Sequence, residues 1–155
     1  MEGAGGIQGA YIPQELLKEL GKTNHRLLIG IPRERDEAER RLILTPEAVD
    51  MLVDRGYRVL VEEGAGLGIN YSDTHYAEAG AEIVSTAEEV YQADVILKVL
   101  PPTLKEVLCM KTRATLFASL QFSAFSQEAF EAMLAKRITA IAYELLADEG
   151  GHGWV

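Results

Sequence analysis

The sequence predicts an α/β fold in which a doubly wound, mostly parallel β-sheet carries helices on both faces. Short apolar runs alternate with capped helical segments along most of the chain. These apolar runs are nearly continuous, which is typical of strands that are buried on both faces of a parallel sheet. The chain has 155 residues, 48% hydrophobic and 25% charged, which is enough for one domain with a sizeable core.

The predicted elements follow one another in a βα rhythm. The strands are expected over residues 26–31, 58–63, 82–84, 94–100, 114–120 and 138–144. The helices are expected over residues 13–22, 45–57, 72–81, 85–93, 103–110 and 126–137. Because the strands are joined by helices, consecutive strands are expected to run parallel.

Capping residues mark several helix ends. Thr45, followed by a proline, suits the N-cap of the helix over 45–57, and Gly56 supplies its C-terminal stop. Ser85 and Glu88 have the spacing of a capping box, and Ser126 suits the N-cap of the last helix.

Three segments divide the chain. Residues 1–25 are expected to form a Gly-rich N-terminal arm and a short helix, and residues 26–147 form the α/β domain. Residues 148–155 carry no cap or closing helix, so we interpret them as the truncated start of a following segment.

Composition excludes several classes of partner. A net charge of -9 argues against binding to nucleic acid or to an anionic membrane surface, both of which need clustered Lys and Arg. We find no signal peptide or membrane-spanning apolar run, so no direct membrane contact is expected. The single cysteine, Cys109, cannot form an internal disulfide and favours a reducing, cytoplasmic setting. The three histidines lie far apart without metal-ligand spacing, so no metal site is predicted.

Lys98 lies within an apolar run and two residues before a Pro-Pro stop. Burial of an ammonium group costs several kcal/mol unless the charge is paired or faces a cleft, to an order of magnitude. Ligands of open parallel sheets bind at the carboxyl ends of the strands, where this lysine is expected. The position therefore indicates a ligand-binding lysine.

Three other features can be interpreted either as parts of a ligand-binding site or as ordinary loop and turn residues. Arg41, the last charge before an apolar segment, either binds a carboxylate or belongs to a solvated loop. Gln121, at the end of a strand, either donates a hydrogen bond to a ligand or is a turn residue. The glycines at 64, 66 and 68 have GxGxG rather than GxGxxG spacing and do not enter a helix directly, which favours a connecting loop over a dinucleotide site.

Six short motifs in order make the sequence similar to the N-terminal domain of the alanine dehydrogenase and pyridine nucleotide transhydrogenase family. They read "IGIPRE", "RRLILTPEAV", "VLVEEGAG", "YAEAGAEIV", "ADVILKV" and "ITAIAYE". The resemblance implies a Rossmann-like (flavodoxin-like) substrate domain that packs against a separate NAD-binding domain absent from this chain. It also implies a homo-oligomer when the protein is full length.

The resemblance assigns roles to three residues. Arg41 matches the arginine that holds the substrate carboxylate, and Lys98 matches the lysine that contacts the carboxylate and carbonyl region. Gln121 takes the place of a catalytic histidine and lacks a pKa near neutrality, so it cannot serve as a general acid or base in the same way. Leu100 replaces a second charged residue in the strand motif.

The leading hypothesis is therefore the substrate domain of an NAD-dependent amino-acid dehydrogenase, which binds an amino acid or 2-oxo acid. This domain alone is expected to be inactive. One alternative is the NAD(H)-binding component of a proton-translocating NAD(P) transhydrogenase. A second alternative is a non-catalytic ligand-binding module that kept the fold and lost the acid-base group.

Overall fold

Six parallel strands form the sheet in a computed structural model that describes residues 26–121 and 125–146. In chain order the strands are β1 Leu28–Ile31, β2 Arg58–Glu62, β3 Glu82–Val84, β4 Val95–Leu97, β5 Thr115–Ala118 and β6 Thr139–Ala142. Their order across the sheet is β3-β2-β1-β4-β5-β6, and every neighbouring pair is parallel. The predicted doubly wound sheet is confirmed, and its strand order is that of the Rossmann fold rather than that of flavodoxin.

Five short α-helices and one 3-10 turn connect the strands within the described residues, and a second 3-10 turn follows β6. The helices are α1 Pro46–Asp54, α2 Asp73–Glu78, α3 Ala87–Val90, α4 Leu104–Cys109 and α5 Gln127–Ala135. The 3-10 turns cover Leu67–Ile69 and Tyr143–Leu145. Helices α1 and α5 have nine residues each, so no helix in the described part of the chain has the length to cross a membrane.

Two apolar cores lie on opposite faces of the sheet. Val49 of α1 and Tyr76 of α2 pack with the β1 and β2 side chains that point to one face. Val107 of α4 and Met133 of α5 pack with Ile96 and its neighbours on the other face. Because β1 and β4 contribute to both cores, the central strands are buried on both sides, as their apolar sequences predict.

Helix boundaries follow the predicted caps with one correction. Thr45 and Ser126 precede α1 and α5 as predicted. The predicted box of Ser85 and Glu88 is wrong by one residue. The Thr86 hydroxyl accepts from the backbone amide of Glu89, and the Glu89 carboxylate accepts from the backbone amide of Thr86. Both pairs have the same spacing, so the sequence pattern alone could not distinguish them.

Some predictions fall on parts of the chain that the structure does not describe. The N-terminal arm and the helix over 13–22 lie outside the described residues, as does the segment 148–155. The domain boundary at residue 147 lies outside them as well.

The sheet order creates a crevice between β1 and β4. The chain moves outward from β1 to β3 and then returns to the centre at β4. The connections that leave β1 and β4 therefore run to opposite faces of the sheet, and the two carboxyl ends open a gap between them. The candidate site lies in this gap.

Candidate functional site

Lys98 directly follows β4 and is 2% exposed. Its Nζ donates to Glu34 Oε2 at 2.9 Å and to Glu106 Oε1 at 3.0 Å. Two carboxylates of the chain therefore balance the buried ammonium, and its burial does not depend on a ligand carboxylate. The sequence predicted a ligand because a buried ammonium needs a partner. That reason is corrected here, because the partners of Lys98 are two glutamates of the same chain.

Glu106 is fully engaged on both carboxylate oxygens. Oε1 accepts from Lys98 and, at 2.7 Å, from the Tyr91 hydroxyl, whereas Oε2 accepts from the backbone amide of Thr103 at 2.7 Å and from its hydroxyl at 3.0 Å. Burial raises the pKa of Glu106, but the Lys98 charge and the hydrogen bonds outweigh burial and bring this pKa below its ordinary value. Burial beside this carboxylate strongly raises the pKa of Tyr91, so the tyrosine remains a neutral donor.

The same glutamate caps helix α4. Thr103 is the N-cap, and its Oγ1 accepts the backbone amide of Glu106 at 3.3 Å. This reciprocal capping box places the Glu106 side chain at the start of the helix, where the macrodipole also favours an anion. Local helix geometry thereby fixes one of the two partners of Lys98.

Glu34 joins the loop after β1 to the end of β4. Its Oε1 accepts from the backbone amide of Val99 at 2.7 Å, while Oε2 accepts from Lys98. Its side chain is 4% exposed, so both contacts are shielded from water. Glu34 therefore bridges the two sides of the crevice.

A cleft of about 440 Å³ opens beside this ion-pair group. Lys98 and Gln121 both line it, so the structure brings these two predicted residues together. An ammonium has three N–H donors, and the two carboxylates account for two of them. The third donor has no acceptor among the described residues, and the side chain is 1% exposed at the wall of the cleft.

Arg41 lies at a neighbouring cleft rather than in contact with Lys98. Its side chain is 71% exposed and pairs with Glu39. Glu34 lines both clefts. The pKa of Arg41 is raised mainly by its hydrogen bond to Glu39, with smaller contributions from Tyr143 and Glu34. Tyr143 in turn donates to the carbonyl of Val99 at 2.6 Å. The structure therefore places Arg41 at the same rim of the sheet as Lys98, with Glu34 between the two cations.

The Gly-rich segment supports the loop that carries Arg41. A Cβ on Gly68 would lie 2.5 Å from the carbonyl oxygen of Arg40, so the two backbones are in close contact. The segment contains a 3-10 turn at Leu67–Ile69 and does not enter an α-helix directly. It is a connecting segment, as its glycine spacing indicates.

The residues at the β1 and β2 ends do not fit a dinucleotide. Glu62 ends β2, where an acidic residue of a dinucleotide-binding fold contacts the ribose. Here Glu62 accepts from the backbone amide of Arg33 at 2.9 Å and from Arg35 Nη2 at 2.5 Å. The first βα loop carries charged side chains in place of the phosphate-binding glycines, so it does not match the dinucleotide-binding fingerprint. Arg35 is therefore paired with the buried carboxylate at the end of β2.

The sequence interpretation missed Glu34, Glu106 and Glu39. The Thr-x-x-Glu spacing from Thr103 to Glu106 was a readable signal for a helix cap, although not for a lysine partner. Glu34 gave no signal, because its partner is 64 residues away. Within residues 26–121 and 125–146, no group of three or more His, Cys, Asp or Glu side chains is placed to hold a metal ion.

The model of the family described as "Alanine dehydrogenase/PNT, N-terminal domain" matches residues 30–153. The chain belongs to this family. The match includes both glutamates that bind Lys98, the lysine itself and Arg41.

Several curated relatives of this chain are alanine dehydrogenases. The alanine dehydrogenase of Bacillus subtilis is 38% identical over 79% of this chain and 32% of its own length. That of Methanococcus maripaludis is 42% identical over 76% of this chain and 32% of its own length. That of Mycolicibacterium smegmatis is 40% identical over 81% of this chain and 34% of its own length. The chain thus spans about a third of the length of the curated relatives it matches.

Two solved structures have a similar fold. An L-alanine dehydrogenase superposes with a TM-score of 0.75 at 33% identity, over 81% of this chain and 34% of its own. A transhydrogenase from Sinorhizobium meliloti gives a TM-score of 0.70 at 35% identity, over 77% of this chain and 36% of its own. The family therefore includes proteins of both activities that its name contains.

Proposed function

We propose that this chain is the substrate domain of an NAD-dependent amino-acid dehydrogenase of the alanine dehydrogenase type, acting in the cytoplasm. The overall reaction interconverts an amino acid with a 2-oxo acid and ammonia. The observation that carries the proposal is that the buried Lys98, which has two carboxylate partners for its three donors, lines one cleft at the β1–β4 crevice together with Gln121. Sequence identities near 40% to alanine dehydrogenases support the same activity.

Each of the three site residues has a distinct task in this proposal. Arg41 binds the substrate carboxylate through its guanidinium fork. Lys98 donates to the carbonyl or imine region and stabilises negative charge that develops there. Gln121 lines the same cleft and orients the substrate by a hydrogen bond, because an amide cannot exchange protons as an imidazole does.

NAD is bound by a domain outside this chain in the proposed enzyme. The charged loop after β1 and the engaged Glu62 support this assignment, because they leave no dinucleotide cradle at the usual place. We therefore expect the chain alone to bind substrate without turnover and the full-length protein to form a homo-oligomer.

The transhydrogenase component is the second candidate. Gln121 favours it, because hydride exchange between two nucleotides needs no acid-base group for an amino acid. The similarity to the transhydrogenase structure favours it as well. Hydride transfer from NADH to an NADP analogue, without amino-acid-dependent NAD reduction, would select this candidate.

The test compares two buried or half-buried lysines in the full-length protein. Lys98→Met should reduce kcat/KM for amino-acid-dependent NAD reduction by at least about a hundredfold, because it removes a preorganised donor. Lys111→Met is the matched control, since Lys111 pairs with Asp94 at the opposite, amino end of β4. An equal effect of the two substitutions would contradict the assignment of Lys98. Oxo-acid binding without any turnover would instead favour a non-catalytic module.

A further inference from the structure

Arg41 is held by a carboxylate two residues before it in the chain. Glu39 Oε1 accepts from the backbone amide of Arg41 at 2.8 Å and from Nε at 2.9 Å, and Oε2 accepts from Nη2 at 2.7 Å. The carboxylate therefore lies along the Nε side of the guanidinium. The Glu39 side chain is 9% exposed, whereas that of Arg41 is 71% exposed.

This geometry uses only one side of the guanidinium. A guanidinium has five N–H donors, and the side-on pair uses the Nε hydrogen and one Nη2 hydrogen. The two hydrogens of Nη1 and the second hydrogen of Nη2 remain. This Nη2 hydrogen and the Nη1 hydrogen beside it form the end-on fork that matches a carboxylate. The large exposed fraction of Arg41 leaves this fork open to a ligand.

We propose that Glu39 is a positioning residue that fixes Arg41 side-on and so holds its end-on fork ready for the substrate carboxylate. The inference rests on the proposed function, and it adds a residue whose effect on the ligand acts through Arg41. An unpaired arginine at such exposure would sample many rotamers, and ordering it on binding would reduce affinity. The pairing of Glu39 with both the backbone and the side chain of Arg41 removes that freedom before the ligand arrives.

The chain contains a matched pair for the test. Arg58 donates from Nε at 2.8 Å and from Nη2 at 2.9 Å to the two oxygens of Glu82, which is the same side-on geometry. These residues begin β2 and β3, at the amino ends of the strands and thus at the edge opposite the site. Glu82→Gln therefore removes an equivalent ion pair away from the crevice.

The experiment measures the arginine side chain and the ligand separately in the 155-residue chain. In nitrogen-15 NMR spectra, Glu39→Gln should shift the Arg41 Nε–H signal toward that of a free guanidinium and speed its exchange with water, whereas Glu82→Gln should change only the Arg58 signal. Titration with pyruvate should give a dissociation constant raised about fivefold by Glu39→Gln and unchanged by Glu82→Gln. Thermal unfolding of both variants reports any loss of folding.

The outcomes distinguish positioning from competition. An unchanged Arg41 signal, or unchanged pyruvate affinity, in Glu39→Gln would overturn the proposal. Tighter pyruvate binding would overturn it too, because Glu39 would then compete for the guanidinium. If pyruvate moves no signal of Lys98 or Arg41 even in the wild type, the proposed function fails, while the Arg41 signal still reports whether Glu39 fixes the side chain.

Discussion

At the residue scale, the Lys98 group shows how a fold retains a charge in its interior. Two buried carboxylates surround one ammonium, and Tyr91 and Thr103 supply further donors to Glu106. No buried side-chain polar atom in the described residues lacks a hydrogen-bond partner. Removal of one member of such a group leaves the others buried without a hydrogen-bond or charge partner. This lowers stability more than the loss of a surface ion pair does.

Glu106→Gln tests this reasoning on stability. The amide keeps the volume but removes the charge that faces Lys98, so we expect the free energy of unfolding at pH 7 to fall by about 2 kcal/mol. The pKa of Glu106 is depressed in the folded state, so its contribution is fully present above the ordinary glutamate pKa and is lost as the pH falls through the lower, folded value. The difference between wild type and variant should therefore be constant above about pH 5 and shrink in acid.

Urea unfolding from pH 7 to pH 3 measures both effects. Glu63→Gln is the control, because Glu63 is exposed and close to the same sheet edge. A constant difference between wild type and Glu106→Gln over the whole range would contradict the assigned coupling to Lys98.

At the element scale, contacts between two loops position the site. The Gly-rich segment packs on the backbone of Arg40, and the residue after Arg40 is the proposed carboxylate-binding arginine. A connecting loop thus sets the path of the loop that carries the proposed carboxylate-binding arginine. The glycine is required at position 68 by the close approach of the two backbones.

Gly68→Ala should therefore weaken ligand binding by more than the accompanying loss of stability would explain. Its Cβ would lie 2.5 Å from the Arg40 carbonyl oxygen and 3.0 Å from the Arg40 Cα, so the loop must move. We expect KM for the 2-oxo acid in the full-length protein to rise about tenfold. Gly56→Ala is the control, since Gly56 has a φ of +89° and no atom within 4 Å of an added Cβ. Gly56→Ala should lower the free energy of unfolding by about 1 kcal/mol through backbone strain and leave KM unchanged. Equal KM values for the two variants would contradict a role of the Gly68–Arg40 contact in ligand binding.

At the scale of the whole molecule, the sheet order determines how local stability varies from the central strands to the edge strands. Strands β1 and β4 are central and include Ile31 and Ile96, both of which are completely buried. Strand β6 is at one edge, and its Thr139 and Ala140 are exposed. Protection of backbone amides against hydrogen exchange should therefore be greatest in β1 and β4, which form the two sides of the crevice.

Hydrogen exchange measured by mass spectrometry tests this gradient. Amides of β1 and β4 should exchange last, and amides of β3 and β6 should exchange first, by about a hundredfold or more in rate. Exchange in β6 that is as slow as in β1 would show that another part of the protein covers this edge in solution.

Much of the fold was predictable because its signals are local. Apolar runs, the N-caps Thr45 and Ser126 and the glycine stop after α1 predicted the elements in their order. The strands are shorter than predicted: Lys98 was expected inside β4 and lies just after its last residue, although its backbone amide still donates to the Phe117 carbonyl of β5 at 2.9 Å. The sequence alone also indicated that Lys98 belongs to a site, because an ammonium in an apolar run needs compensation wherever it lies.

Only the tertiary structure decided what provides that compensation. Glu34 and Lys98 are 64 residues apart and meet because β1 and β4 are neighbours at the centre of the sheet. Strand order is set by the packing of helices on the two faces, and no local signal encodes it. The same order places Arg41 and Lys98 at one rim with Glu34 between them, and this arrangement of charges exists only once the sheet has assembled.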